Sequence, residues 1–139
     1  MINKAIIVGR LGRDPEVRAF ASGSAVTEFS VATDEKFTDR SGERQERTEW
    51  HNIKAWGKLG EICGQYLRKG SLVYIEGAIQ TESWDDKETG KKVYKTVINA
   101  RTMKMLDSKG SSGGGDRSYS QSQGASSVAD SPEDDDVPF

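Results

Sequence analysis

The segment that decides the fold spans residues 48–70 and reads TEWHNIKAWGKLGEICGQYLRKG. Its first nine residues alternate between two faces, which is typical of a half-buried strand. The residues that follow place apolar side chains at helical spacing, with Arg and Lys in the last turn and Gly70 just beyond as a C-cap. The segment therefore predicts a strand followed by one amphipathic helix. The apolar helical positions are Leu59, Ile62, Cys63, Tyr66 and Leu67.

Four further segments with the same alternation lie on either side of this one. The five predicted strands occupy residues 3–8, 25–33, 48–56, 72–84 and 93–105. Five strands with a helix between the third and the fourth are typical of the OB-fold, an all-β barrel that commonly binds oligonucleotides. An SH3-like barrel, or another small barrel with a helix, gives nearly the same order of elements. The glycine-rich residues 9–12 lack the Lys-Ser/Thr of a phosphate-binding P-loop and are predicted to form a turn.

Alternation gives residues 48–56 two different faces. One face carries Trp50, Asn52, Lys54 and Trp56, and the other carries His51, Ile53 and Ala55. A lysine is rare at the centre of a buried face, so the second face is predicted to point into the core and the first to solvent. Two exposed tryptophans beside a lysine indicate a surface for single-stranded nucleic acid, because bases stack on aromatic rings and cations neutralise phosphates.

Other aromatic and basic residues are candidates for the same surface. Phe37 lies in a polar loop and Trp84 ends the fourth predicted strand, so both are expected to extend the stacking surface. Four nearby cations are candidates for phosphate contacts, namely Arg40, Arg44, Arg47 and Lys58. A second interpretation of the same aromatic residues, as core side chains or as an interface between subunits, stays open.

Catalysis, metal binding and redox chemistry are not expected. His51 is the single histidine, and without a positioned partner it is interpreted as an interior or interface residue. Cys63, the single cysteine, has no partner for an internal disulfide or a cysteine zinc site and is interpreted as a core residue in a reducing cytosol. The acidic residues Asp85, Asp86 and Glu88 lie among lysines and are interpreted as part of a solvated hairpin tip. No enzyme activity, cofactor or metal is therefore predicted.

Charge and composition divide the chain of 139 residues near Leu106. The formal net charge of −2 separates into +3 for residues 1–106, predicted to be the folded domain, and −5 for the remainder. Residues 107–129 hold 8 Ser and 5 Gly and too few apolar residues to offset the entropy of ordering, which predicts a disordered linker. The longest early apolar run, residues 5–8, is too short for a membrane span or a signal sequence, so a soluble cytoplasmic protein is expected.

Residues 130–139 form a separate acidic tip. Its acidic run ends in an aromatic residue and a carboxylate, which favours a docking peptide over a simple solubilising tail. An aromatic ring suits a pocket, a carboxylate suits a basic residue, and the acids steer the encounter. The predicted protein-interaction residues are Asp134, Asp135, Asp136, Val137, Pro138 and Phe139.

Several ordered blocks of the sequence are similar to the bacterial single-stranded DNA-binding protein family. They are IIVGRLGRDPEVR at residues 6–18, TEWH at 48–51, GKL at 57–59, YLRKG at 66–70, VYIEG at 73–77 and the terminal DDDVPF. The resemblance covers about residues 1–106 and the last six. It implies an OB-fold homotetramer that binds and wraps single-stranded DNA during replication, recombination and repair in the bacterial nucleoid. It also implies that the acidic tip recruits DNA-processing enzymes.

The resemblance implies roles for individual residues as well. Those that match the family's stacking aromatics are Phe37, Trp50, Trp56 and Trp84, and His51 matches a position between subunits. Phe37 stands where many relatives have Trp, and Trp56 stands where Phe is common. The alternative function is an OB-fold adaptor that binds proteins with its aromatic strand. Quenching of tryptophan fluorescence by oligo-dT separates the two functions.

Overall fold

The computed structural model describes residues 1–108. The elements of this part are β1 (Ala5–Leu11), β2 (Glu16–Ala19), β3 (Ala25–Thr38), β4 (Arg44–Trp56), α1 (Gly57–Tyr66), β5 (Leu72–Asp85) and β6 (Lys92–Met105). The predicted junction of strand and helix is present, because α1 follows β4 without an intervening loop. Apart from Asp107 and Ser108, the predicted linker and acidic tip lie outside the described residues.

Five of the strands form a closed barrel. Around its circumference the order is β1, β5, β6, β4 and β3, and β3 returns to β1. All of these neighbours are antiparallel except β4 and β6, which are parallel where Ile53 lies opposite Ile98. The closure between β1 and β3 rests on two residue pairs, Arg10 with Ala32 and Leu11 with Val31. This topology has α1 between the third and fourth barrel strands. It confirms the predicted all-β OB-fold over the other small barrels that the sequence pattern also allowed.

The end of β1 differs from the prediction. A turn was expected at residues 9–12, but this is wrong for Gly9, Arg10 and Leu11, which continue β1. A Cβ atom at Gly9 would collide with the carbonyl oxygen of Ala32 on β3, so the glycine allows the two strands to approach and close the barrel. After a short break the chain forms β2, an unpredicted strand that pairs only with β3. Its four residues are all exposed, so it lacks the half-buried alternation by which strands are identified.

The core lies inside the barrel and beneath α1, which packs against β3 and β4. Buried side chains of β1, β3, β4, β5 and β6 meet there, and α1 adds Cys63. Gly60 brings the helix close to the Ala55 carbonyl of β4, where a Cβ atom would collide. The Thr27 hydroxyl of β3 donates a buried hydrogen bond of 2.6 Å to the Gly60 carbonyl, so helix and barrel are joined by a specific polar contact. The largest fully buried side chains include Ile53, Leu67, Ile75, Val26 and Val31.

The end of α1 was predicted too late in the sequence. The helix stops at Tyr66, and Leu67 adopts an extended backbone that buries its side chain completely, although its N–H still donates to the Cys63 carbonyl. Gly70 is not the C-cap, because it lies in the following turn with φ +88 and donates its N–H to the Leu11 carbonyl. Tyr66, which was assigned to the apolar face, is exposed. Burial of Leu67 therefore determines where the helix ends.

Candidate nucleic-acid interface

The outward side of β4 is the centre of the predicted interface. Ile53 and Ala55 are buried in the core, whereas Trp50 and Trp56 expose 55% and 47% of their surface. The antiparallel register between β3 and β4 continues without a shift along the whole pairing, which keeps the alternation regular. The prediction of which side of this strand faces solvent is therefore confirmed for these four residues.

The Trp50 ring lies against the backbone just after β1. A Cβ atom on Gly12 would collide with the six-membered part of this ring, so only a glycine allows the chain to pass so closely. The Gly12 N–H donates a hydrogen bond of 3.2 Å to the Ser30 carbonyl, which fixes the crossing. Trp50 is thus supported on one side by backbone and exposed on another. The contact between Gly12 and Trp50 could not be predicted from the glycine-rich segment, because the two residues are far apart in the sequence.

Trp56 is supported by a second aromatic residue that the sequence analysis missed. Phe20, at the start of the turn between β2 and β3, stacks on Trp56 with 6.1 Å between ring centroids and 18° between planes. The Trp56 indole Nε1 donates to Asn99 Oδ1 on β6 at 3.4 Å. The turn itself is held by the Phe20 N–H, which donates to the Ser24 carbonyl at 2.8 Å. The available signal was an apolar ring two residues before the Ser22–Ser24 breaker.

Lys54 lies between the two tryptophans but is already paired. Its Nζ is 2.7 Å from Glu82 Oε1 and 3.2 Å from Glu28 Oε1, and 16% of its side chain is exposed. Burial disfavours the charged amine, but the hydrogen bonds that the ammonium donates to Glu82 and Glu28, with the attraction of both charges, outweigh it and raise the pKa of Lys54. Arg18 Nε lies 3.4 Å from Glu28 Oε2 and extends the network. The lysine predicted for phosphate contact is therefore engaged by carboxylates.

Trp84 lies on the same outward surface, further along β5. Glu82, whose carboxylate reaches Lys54, and Trp84 are two residues apart in β5 and so share one side of the strand. The register places Trp84 opposite Val93 in the β5–β6 hairpin, and its side chain is exposed. The structure therefore brings Trp84 to the surface that carries Trp50 and Trp56.

Phe37 does not join that surface. Its register partner in the β3–β4 hairpin is Gln45, and alternation puts the pair on the side opposite to Trp50. Arg47 lies over the Phe37 ring, 5.4 Å from its centroid, and is also 2.8 Å from Glu35. The side chain of Phe37 is exposed and borders an open groove of about 560 Å³. This groove is lined by Lys36, Phe37, Thr38, Arg44, Gln45 and Glu46.

The tip of the β3–β4 hairpin is organised by Asp39. Its Oδ1 accepts hydrogen bonds from the Ser41 hydroxyl at 2.7 Å and from the Ser41 and Glu43 amides at 2.9 Å. These bonds, the Ser41 hydroxyl first, hold the pKa of Asp39 below its usual value. The turn carries the exposed Arg40, and Arg44 is exposed at the start of β4. Both predicted cations are therefore solvent-accessible at the end of an ordered hairpin.

The remaining predicted residues fall in two places. Lys58 is exposed in the first turn of α1, two residues beyond Trp56. His51 lies on the core side of β4, half-buried, with its Nε2 2.9 Å from Thr33 Oγ1. Its assignment to an interface between subunits stays a prediction. The six predicted residues of the acidic tip lie outside the described residues.

Three further properties of the described residues concern the cysteine, metal binding and membrane crossing. Cys63 is fully buried, and burial raises the pKa of its thiol to about 11. Within residues 1–108, no cluster of three or more His, Cys, Asp or Glu side chains has the arrangement of a metal site. The helix in this range, α1, is too short to cross a membrane.

The protein comparisons agree with the fold and with the sequence blocks. The model of the single-strand binding protein family matches residues 2–106. The chain is 55% identical over 133 residues to "Single-stranded DNA-binding protein 1" of Chlorobaculum tepidum, covering 95% of this chain and 82% of that relative. It is 52% identical over 114 residues to the single-stranded DNA-binding proteins of Neisseria meningitidis serogroups A and B, covering 82% of this chain and 65% of theirs.

Two solved structures have the same fold. One is the Plasmodium falciparum SSB in complex with ssDNA, with a TM-score of 0.71, 30% identity, and coverage of 77% of this chain and 97% of the other. The second is a deletion mutant of the single-stranded DNA binding protein from Thermus aquaticus, with a TM-score of 0.67, 28% identity, and coverage of 78% and 52%. Because the family model matches most of the chain, the chain belongs to the single-strand binding protein family.

Proposed function

We propose that this member of the single-strand binding protein family binds single-stranded DNA without strong sequence preference. The observation that carries the proposal is the pair of exposed tryptophans on the outward side of β4, Trp50 and Trp56, each supported by another part of the chain. Supported rings lose less conformational freedom when a base arrives, which favours binding. Stacking contributes roughly 1–3 kcal/mol per base and tolerates every base, because each has a π-face.

The DNA path in this proposal runs beyond the two tryptophans in both directions. Trp84 continues the stacking surface along the β5–β6 hairpin, and Phe37, on the opposite side of the β3–β4 hairpin, offers a further ring to a strand that passes around that hairpin. Exposed cations at Arg40, Arg44 and Lys58 neutralise phosphates along this path. Phe20 acts through its stack with Trp56. The relatives named for single-stranded DNA binding and the neighbouring structure with ssDNA support this function.

The proposal includes a homotetramer that wraps the DNA. Ile6 and Val8 on the outward side of β1 are 59% and 50% exposed, and such apolar side chains favour contact with another subunit. Their register partners on β5 are Glu76 and Tyr74, whose side chains join each other by a hydrogen bond of 2.9 Å. Sedimentation equilibrium at a mass four times that of the chain supports this assembly, and a monomer mass contradicts it.

The proposal also covers the cellular role. A protein that coats single-stranded DNA protects it during replication, recombination and repair in the bacterial cytoplasm, and the acidic tip recruits the enzymes that act there. The support for the tip is its composition, three aspartates followed by an apolar residue, a proline and Phe139. The division into a DNA-binding domain at 1–106, a linker at 107–129 and a tip at 130–139 belongs to this proposal.

Fluorescence tests the DNA-binding function directly. The chain has three tryptophans, and all are proposed stacking residues, so intrinsic emission reports on the interface. An oligo-dT of about 16 nucleotides, the upper end of the range that one OB-fold occupies, is titrated against a duplex of equal length. Quenching by the single strand and weak quenching by the duplex support the function. Equal responses, or none with oligo-dT, contradict it and favour the protein-binding adaptor.

Deletion tests the role of the tip. Removing residues 133–139 is expected to leave oligo-dT binding intact or slightly tighter at low salt, because the acidic segment competes weakly for the cationic surface. Recruitment of DNA-processing enzymes from a bacterial lysate is expected to be lost. Phe139→Ala serves as the matched variant, since it keeps the acidic run. Capture of the same enzymes with and without Phe139 shows that the tip only adds charge.

A further inference from the structure

An ion-pair cluster occupies the middle of the proposed DNA surface. Lys54 of β4 reaches Glu28 of β3 at 3.2 Å and Glu82 of β5 at 2.7 Å, so the cluster joins three strands. The side chains are 16%, 17% and 31% exposed respectively, which is low for charges on an open sheet face. The Lys54 side chain is therefore largely shielded from solvent, and its ammonium contacts both carboxylates.

The charges of this cluster balance. Lys54 and its two carboxylates sum to −1, and Arg18, 3.4 Å from Glu28, brings the sum to zero. A phosphate that contacts Lys54 must either replace Glu82, exchanging one anion for another with little gain, or approach beside two carboxylates that repel it. In contrast, Arg40, Arg44 and Lys58 are exposed around this surface. Arg13 and Lys95 line a small crevice together with Lys54 and Glu28, so further exposed cations lie next to the balanced charges.

We infer that Glu28 and Glu82 withhold Lys54 from the DNA backbone, so that the middle of the surface holds DNA by stacking while the surrounding cations supply the charge. Glu82 is the residue that limits affinity in this arrangement, because it makes the shorter contact with the ammonium. The inference rests on the proposed binding of single-stranded DNA. If the inference holds, removing the charge of Glu82 frees the Lys54 ammonium to make one more phosphate contact.

The test compares five full-length proteins in their binding of a labelled short oligo-dT across a range of salt concentrations. They are the wild type, Glu82→Gln, Lys54→Met, the double variant and the control Glu88→Gln. Glu88 is an exposed acid in the turn of the same β5–β6 hairpin, and its side chain forms none of the ion pairs found within residues 1–108.

Glu82→Gln is expected to tighten binding about two- to five-fold at low salt, the range of one partly exposed ion pair. It is also expected to steepen the slope of log affinity against log salt by about 0.7, which corresponds to one added phosphate contact. Lys54→Met is expected to cost more affinity in the Glu82→Gln background than in the wild type, since only there is the ammonium released. Glu88→Gln is expected to leave the salt slope at its wild-type value.

Three outcomes overturn the inference. An equal and measurable loss of affinity from Lys54→Met in both backgrounds means that Lys54 already contacts phosphate in the wild type. Binding by Glu82→Gln that is no tighter than wild type, in a protein with an unchanged melting curve, means that Glu82 withholds nothing. Tightening by Glu82→Gln, together with no loss from Lys54→Met in either background, means that only the general electrostatic field changed. Lys54→Gln replaces Lys54→Met if the latter fails to fold, and failure of the wild type to bind oligo-dT refutes the proposed function instead.

Discussion

The two sides of β4 differ completely although they share one backbone. Ile53 and Ala55 point into the core and are almost fully buried, while Trp50 and Trp56 remain about half exposed on the outer side. Alternation alone separates them, since neighbouring side chains of a strand point in opposite directions. Stability and binding are therefore assigned to alternate residues of the same strand, and substitutions on the two sides should affect different measurements.

The largest expected effect is on the inner side. Ile53→Ala removes a fully buried side chain that packs between strands and is expected to lower the free energy of unfolding by about 2–5 kcal/mol. Urea denaturation measures this loss. Oligo-dT affinity of the folded fraction is expected to stay at the wild-type value. A loss of stability no greater than that of Trp50→Ala would contradict the division between the two sides.

The next effect is on the outer side. Trp50→Ala and Trp56→Ala are each expected to weaken oligo-dT binding by about 1–3 kcal/mol, because a stacked base is lost. Anisotropy of a labelled oligonucleotide measures affinity without relying on the deleted indole. Tyr66→Ala, on an exposed aromatic residue of α1, is the control and is expected to bind normally. Normal binding by both tryptophan variants shows that the outer side is not the DNA surface.

A smaller effect is expected at the residue that supports Trp56. Phe20→Ala removes the stacked partner, and such aromatic pairs are worth about 0.5–1.5 kcal/mol. Phe20→Ala is expected to lower the affinity for oligo-dT by less than Trp56→Ala does. The double variant is expected to bind as tightly as Trp56→Ala alone. Additive losses would mean that Phe20 contacts DNA itself. Val17→Ala, an exposed apolar residue on the same β2–β3 hairpin, is the control.

The smallest effect concerns pH at the hairpin tip. Because hydrogen bonds lower the pKa of Asp39 in the folded chain, its contribution is complete above pH 3.8 and is lost as pH falls through the depressed value. Amide chemical shifts of Ser41 and Glu43 are expected to change in that acid range, before the core signals of β4 change. Asp39→Asn is expected to remove this step. A single transition shared by tip and core would show that the hairpin has no separate response.

Local patterns predicted those features that depend on local sequence. The two sides of β4 follow from strict alternation, and the order of strands and helix followed from turn residues between periodic segments. The predicted end of α1 was wrong, because Gly70 and the basic residues before it resemble a cap. The helix instead stops at Tyr66, where the extended Leu67 turns its side chain into the core. A short strand with no buried residue, β2, carries no periodic signal at all.

The missing parts of the site depend on contacts between distant residues. The contact of Gly12 with Trp50 and the stack of Phe20 on Trp56 each join two distant segments, so neither can be predicted from one segment alone. Lys54 was predicted as a phosphate ligand because one strand alone does not reveal the carboxylates on its neighbours. Such pairings require the register of β3 and β5 with the rest of the barrel.

The narrow closure of the barrel has a consequence for aggregation. Beyond the two pairs with β1, the outer edge of β3 would present unpaired amides and carbonyls, and open edges of this kind recruit strands from other molecules. β2 covers one part of that edge by pairing with residues 25–28 of β3. Being four residues long and carrying Glu16 and Arg18, β2 is itself a poor template for a further strand. β2 thereby shields residues 25–28 of β3 from pairing with a strand of another molecule.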